Sequence, residues 1–153
     1  MEYTVNFLFT TDGKEVLLQR KKRTRFAGML NGVGGKLEEG EAPMECAIRE
    51  IREETGISVD SAMMCWLATL MLPEDCVEGN DGLCILHFYS TLVDKDTIQL
   101  EPEDPDAEEL LWKPTYAVAT DTVGDMLAGE GDVSYMVERA IRYYHFDLDG
   151  DGI

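Results

Sequence analysis

The chain has 153 residues, 44% of them hydrophobic and 29% charged. That is enough for one domain with its own core and excludes the disordered and fibrous classes. The 31 acidic side chains outnumber the 13 basic ones to give a net charge of -18, which argues against a nucleic-acid polymer as partner, because neutralising phosphates needs a basic surface. No apolar run approaches the ~20 residues that span a bilayer, and no signal-peptide pattern opens the chain, so a cytoplasmic protein with no membrane partner is expected.

From the start, Thr4 to Phe9 is apolar and β-rich, Asp12-Gly13 is a tight-turn signal, and Val16-Leu17-Leu18 is the returning strand. A basic, glycine-containing loop occupies residues 20–34, with a short strand near Leu30 to Val33. A helix follows. Pro43 suits its first turn and Gly56 the position just past its end, and Met44, Ala47, Ile48 and Ile51 form an apolar stripe. Met63 to Leu72 and Leu83 to Val93 read as longer strands joined by the acidic turn 78–82. An acidic, proline-broken loop spans 101–109, and Leu110-Leu111-Trp112 is a short strand. Asp132 is placed to cap a last helix whose apolar residues run from Val133 to Tyr144 with a 3.6 period. Strands alternating with two helices predict an α/β domain with one helix on each side of a mixed sheet. Residues 1–146 form that single domain, and 147–153 an acidic C-terminal tail. The tail begins like an EF-hand loop, Asp147-Leu148-Asp149-Gly150-Asp151-Gly152, but the chain stops before the Glu such a loop needs. The four cysteines, Cys46, Cys65, Cys76 and Cys84, have no CxxC spacing and read as buried thiols, with a disulfide pair as the alternative.

Chemistry concentrates between residues 35 and 57. Gly35 and Glu41 precede Arg49-Glu50-Ile51-Arg52-Glu53-Glu54-Thr55-Gly56-Ile57. On a helix Glu50, Glu53 and Glu54 stand at i, i+3 and i+4, so their carboxylates share one face and repel unless a cation sits among them. Oxygen ligands without Cys or His favour Mg2+, with Mn2+ as the alternative, over zinc. The competing reading is a solvated acidic helix face. Five basic residues, Arg20, Lys21, Lys22, Arg23 and Arg25, lie just before the Gly-rich segment 31–35. They form either a positive rim for a phosphate ligand, with Lys21 a candidate contact, or a basic strand end that balances local acid.

The segment fits G-x5-E-x7-R-E-hydrophobic-x-E-E-x-G-hydrophobic at all nine defined positions, and the chain is identified on it as resembling the Nudix hydrolases. That resemblance implies a Nudix-type α/β/α sandwich with a mixed sheet and metal-dependent cleavage of a phosphoanhydride. It also implies roles. Glu53, Glu54 and the Gly35 carbonyl match metal ligands, Glu50 a ligand or general base, Arg49 a residue that orients the acids, Glu41 a secondary acid, and Lys36 a residue near the phosphates. Asp106, Glu108 and Glu109 are candidates for a further acid beyond the motif, solvation being the alternative.

Within the family the stretch from Val16 to Lys36 resembles the MutT-type oxidised-purine nucleoside triphosphatases, especially the animal form. This implies a small-molecule nucleotide substrate such as 8-oxo-dGTP, a role in nucleotide-pool sanitation, and a monomer or homodimer. Asn31 matches a purine-contacting asparagine, and its amide both donates and accepts. Asp132, before Val133-Ser134-Tyr135, is a candidate base reader as well as a candidate cap. Two features depart from the animal form: residues 126–131 lack an aromatic, and Phe26 lies one place out of register. Hydrolysis of ADP-ribose or a dinucleotide is an alternative, with Pro73 sixteen residues past Ile57 in its favour. A ligand-binding regulator on a silent Nudix fold is another, although no motif acid is missing.

Overall fold

The computed structural model describes residues 1–23, 26–73 and 83–148. Arg25, Cys76, the turn 78–82 and residues 149–153 of the tail lie outside them. Seven strands form one mixed sheet: β1 (Glu2–Thr10), β2 (Glu15–Arg20), β3 (Leu30–Asn31), β4 (Val33–Lys36), β5 (Cys65–Leu72), β6 (Cys84–Val93) and β7 (Glu109–Pro114). The main path runs β3-β2-β1-β6-β5, with β4 added to β1 and β7 to β2. Only β1 and β6 are parallel; the other pairings are antiparallel.

Alternation along the strands sorts their side chains to two faces. Leu8, Leu17, Val33 and Tyr89 pack on one face with Ala47 and Ile51 of helix α1 (Pro43–Thr55). Phe7, Phe9, Val16 and Leu18 pack on the other with Val133, Met136, Val137 and Ala140 of helix α3 (Asp132–Tyr144). This is the three-layer arrangement read from the sequence. The Asp12-Gly13 turn is also present: Gly13 has φ +76°, its N–H donates to the Thr10 carbonyl at 2.8 Å, and Asp12 accepts from Lys14 N–H at 2.9 Å. Cys46 and Cys65 are free thiols.

The start of α3 corrects one expectation. Asp132 is not the cap. The Tyr135 N–H donates to the Gly131 carbonyl at 3.0 Å, which makes Gly131 the N-cap and Asp132 the first helical residue, and no side chain caps the end. Gly131 takes φ +95°, which an L side chain resists, so backbone geometry moved the boundary by one residue. Two short pieces were not foreseen: α2 (Thr115–Ala119), too brief for periodicity to register, and a 3-10 turn at Ser61–Met63 capped by Asp60, so that β5 begins at Cys65.

A fork in the sheet positions the site. β1 and β2 pair only at Leu8–Leu17 and Phe9–Val16. Towards the start of β1 its edge passes to β4, from Asn6–Val33 to Tyr3–Lys36, while β2 continues between β3 and β7. The segment wedged into that fork carries Gly34 and Gly35 beneath α1.

At the other end of α1, Gly56 has φ +80° and donates to the Arg52 carbonyl at 2.8 Å. A methyl group there would run into the Glu101 backbone. Gly56→Ala is expected to destabilise the fold by about 1–2 kcal/mol from the left-handed conformation alone. That lowers the thermal midpoint by at least about 2–4 °C. A midpoint within 1 °C of wild type, by calorimetry, would contradict it.

Candidate active site

Helix α1 starts without a side-chain cap at Ala42, but Glu45 accepts the Ala42 N–H at 2.9 Å, and Pro43 occupies its first turn. Its exposed face meets the loop from Lys36 to Glu41, and Arg49 ties the two together. Nε donates to Glu41 Oε2 at 2.7 Å and Nη2 to Oε1 at 2.9 Å, a two-pronged grip. Nη1 donates to Glu50 at 2.8 Å and to Glu53 at 3.1 Å, and Nη2 reaches the Lys36 carbonyl at 3.2 Å. The side chains of Arg49, Glu41 and Glu50 are only 12–16% exposed, so the network is shielded far better than a surface ion pair. Glu53, at 39%, is the member turned to solvent.

The electrostatics divide the acids. The Arg49 grip holds Glu41 down at about 2. Burial, opposed by Arg49 and reinforced by Glu53 and Glu41, pushes Glu50 above the ordinary carboxylate value. Glu54 lies outside the Arg49 network. Burial first, then the charge of Glu50, raises it to about 7, while the Gly34 N–H, donated to Oε2 at 2.8 Å, and the nearby Lys21 act in the opposite sense. Gly35 is where backbone and carboxylate meet: an added Cβ would stand 2.5–2.9 Å from both Glu50 oxygens. A side chain there would have to displace the Glu50 carboxylate from its bond with Arg49.

This set of donors suits a hard divalent cation. Two of its acids sit in surroundings that disfavour their negative charge, the Gly34-Gly35 backbone lies beside them, and no imidazole completes the set. Among the described residues, no three His, Cys, Asp or Glu side chains converge in ligand geometry. Arg49 instead directs Glu50 and Glu53 to itself. Cys46, buried beside Gly35 with its thiol pushed up to about 11, stays protonated.

The basic segment proves to be locally balanced. Arg20 pairs with Asp125 at 3.2 Å and Lys21 with Glu108 at 3.1 Å; Lys22 donates to the Asp106 and Ala107 carbonyls. Glu108 also accepts the Lys22 N–H, which makes it the member of the acidic loop tied most directly to the site, through Lys21. Glu109 lies 3.9 Å from Arg20, and Asp106 is exposed. Lys36 is exposed at the end of β4. Asn31 Oδ1 accepts the Gly32 N–H at 2.8 Å. β3 is bridged to Leu127, and the chain from there turns at Gly129 into Asp132, so Asn31 and Asp132 flank the same edge without a hydrogen bond between them. Burial, aided by Glu130, raises the Asp132 carboxyl.

Sequence reasoning missed Gln19, fully buried on the face that carries Leu17 and close to Glu54. The signal was a polar residue at an inward strand position. Asn6, also fully buried, was missed for the same reason; its amide donates to the Val33 carbonyl at 3.0 Å.

Similarity to known proteins agrees with this geometry. The NUDIX domain matches residues 2–125, and the chain belongs to the Nudix family. It is 52% identical over 48 residues to the oxidized purine nucleoside triphosphate hydrolase of Mus musculus, 31% of each protein. It is 50% identical over 46 residues to the Danio rerio protein of that name, 30% of each. The matched segments therefore span about a third of these curated relatives. The NUDIX domain of Shewanella oneidensis NrtR complexed with ADP ribose superposes with a TM-score of 0.70 at 20% identity, covering 94% of this chain and 87% of that one. The E. coli dihydroneopterin triphosphate pyrophosphohydrolase gives 0.68 at 16% identity, covering 93% and 95%. At such identities these two establish the fold alone.

Arg49→Lys keeps the charge but loses the fork that grips Glu41 and reaches Glu50 and Glu53 together, so kcat/KM is expected to fall by at least about tenfold. Wild-type kinetics in this variant would contradict the orienting role. A pH dependence of stability is expected as well. The folded chain holds a proton on Glu54 up to about pH 7, whereas an unfolded glutamate releases it near 4.5. Folding therefore takes up a proton in that window. The resulting stabilisation is full below pH 4.5 and lost as pH rises through 7. At about 1.4 kcal/mol per unit it amounts to roughly 3 kcal/mol. Glu41 acts in the opposite sense, but only below 4.5. Urea denaturation in EDTA between pH 5 and 8 measures the slope, and rising stability with pH would contradict it.

Proposed function

We propose that the protein is a metal-dependent pyrophosphohydrolase that cleaves purine nucleoside triphosphates, oxidised ones such as 8-oxo-dGTP included, to a nucleoside monophosphate and pyrophosphate. The observation that carries this reading is the Arg49 network, which gathers Glu41, Glu50 and Glu53, with Glu50 against Gly35 and Glu54 held separately by Gly34. The Gly35 carbonyl, Glu53 and Glu54, with Glu50 as ligand or general base, would hold Mg2+ or Mn2+, which would supply charge neutralisation on the phosphates and lower the pKa of water. The chain's own residues do the rest. Glu50, held beside Glu53 by Arg49, is the candidate to accept a proton from the attacking water where it does not itself bind the metal. Arg49 fixes their orientation and Glu41 fixes Arg49. Lys36 and Lys21 supply positive charge for the phosphates, Lys21 sharing its charge with Glu108.

Two groups at one edge favour a purine. Asn31 has its Oδ1 engaged by Gly32, which leaves its Nδ2 hydrogens for a base. Asp132 has no capping duty, and its raised carboxyl suits contact with a purine edge. The likeness to the mouse and zebrafish proteins supports the same choice. A second reading, hydrolysis of ADP-ribose or a dinucleotide, is favoured by the lack of an aromatic in residues 126–131 to stack on a base, and by Pro73. The engagement of the described basic residues Arg20, Lys21 and Lys22 with neighbouring acids or carbonyls supports a small-molecule substrate over a nucleic-acid polymer. Among the described residues no helix is long and apolar enough to cross a membrane.

A Mg2+-dependent panel of 8-oxo-dGTP, 2-oxo-dATP, dGTP, dATP, ADP-ribose and a diadenosine polyphosphate, with product analysis, tests both readings. Pyrophosphate plus a monophosphate, fastest from an oxidised purine, is the expected result. A preference for ADP-ribose or the dinucleotide would replace the substrate reading and keep the catalytic one. Glu53→Gln is expected to abolish turnover through loss of a metal-ligating carboxylate, with the fold intact. Tight nucleotide binding without turnover by the wild-type protein would move it to a sensor role.

A further inference from the structure

Gln19 is fully buried on β2, on the sheet face covered by α1. Neither its Oε1 nor its Nε2 has a hydrogen-bond partner among the described residues, and the buried Asn6 Oδ1 has none either. Burying both ends of an amide unsatisfied costs more than burying an apolar side chain of the same size, so such a group usually answers to something else. Its place in the fold suggests what. β1 and β2 part immediately beyond Leu17, so Gln19 lies at the fork, opposite Asn31 and beside the glycine segment under α1. Glu54 comes down from α1 into the same fork. The Gln19 amide is near enough to favour the charged form of Glu54, yet makes no well-formed hydrogen bond with it.

We propose that Gln19 is a positioning residue for the divalent-metal site, its amide N–H holding the Glu54 carboxylate in the orientation that binds the cation. This rests on the reading of Glu54 as a ligand. The Gly34 N–H already fixes Oε2 from the β4 side. A second donor from β2 would fix the plane of the carboxylate, while its remaining lone pairs stay free for the metal. A neutral amide suits this better than a lysine, which would pair with Glu54 and compete with the cation. The lysine that is present, Lys21, two residues along the same face, is engaged by Glu108 at 3.1 Å.

The test uses Gln19→Met and Gln19→Leu, which fill the volume without a donor. Mn2+ affinity is read by electron paramagnetic resonance, the metal-free thermal midpoint by calorimetry, and kcat separately from KM. The expected result is Mn2+ binding weakened by about 10–100-fold, the usual effect of losing a group that orients a ligand. The metal-free midpoint should be equal or higher, and kcat restored at saturating Mn2+ with the nucleotide KM unchanged. In a Glu54→Gln background, Gln19→Met should cause no further loss. Wild-type Mn2+ affinity in both variants, or failure of both to fold, would overturn the proposal. Unchanged affinity in Glu54→Gln alone would overturn the ligand assignment and the role of Gln19 with it. Weakened affinity in Glu54→Gln beside wild-type affinity in Gln19→Met would overturn the Gln19 role only.

Discussion

Arg49 brings together acids that otherwise repel. Glu41 comes from the loop after β4, and Glu50 and Glu53 from α1, yet one guanidinium binds all three within 2.7–3.1 Å. Its planar fork is what lets a single cation grip one carboxylate with two prongs and reach two others. The same side chain reaches the Lys36 carbonyl and so pins the loop to the helix. Without Arg49, the direction of the acids would be undetermined.

The sheet supplies the second constraint. A simple hairpin between β1 and β2 would have left no space below α1. The strands instead part after two residue pairs, and the Gly34-Gly35 backbone fills the gap, Gly34 lying so close to the Thr4 carbonyl that only glycine fits. The cost is a set of buried amides, Asn6 and Gln19, with polar atoms that the strands themselves do not satisfy.

Charge is handled locally. The described basic residues before the glycine segment are engaged by Asp125, Glu108 and loop carbonyls, which is the balancing of nearby acid that the sequence offered as one of two readings. Lys21 also acts electrostatically on Glu54, so that balance reaches the acids of α1.

By itself the sequence determined the elements and the catalytic segment. Apolar periods of two and 3.6 placed β1, β2, β6, α1 and α3, and the fixed spacing from Gly35 to Ile57 placed the acids, because these features arise from neighbours along the chain. The boundary at Gly131, the short α2 and the 3-10 turn escaped, since each turns on a few backbone hydrogen bonds with no periodic signature. Tertiary structure alone decided that Glu54 stands apart from the Arg49 network, that Lys21 meets Glu108, and that Gln19 lies unsatisfied beside Glu54. Each depends on strands and loops distant in sequence being brought together. Burial, which sets the charge of Glu54, does not exist until they meet.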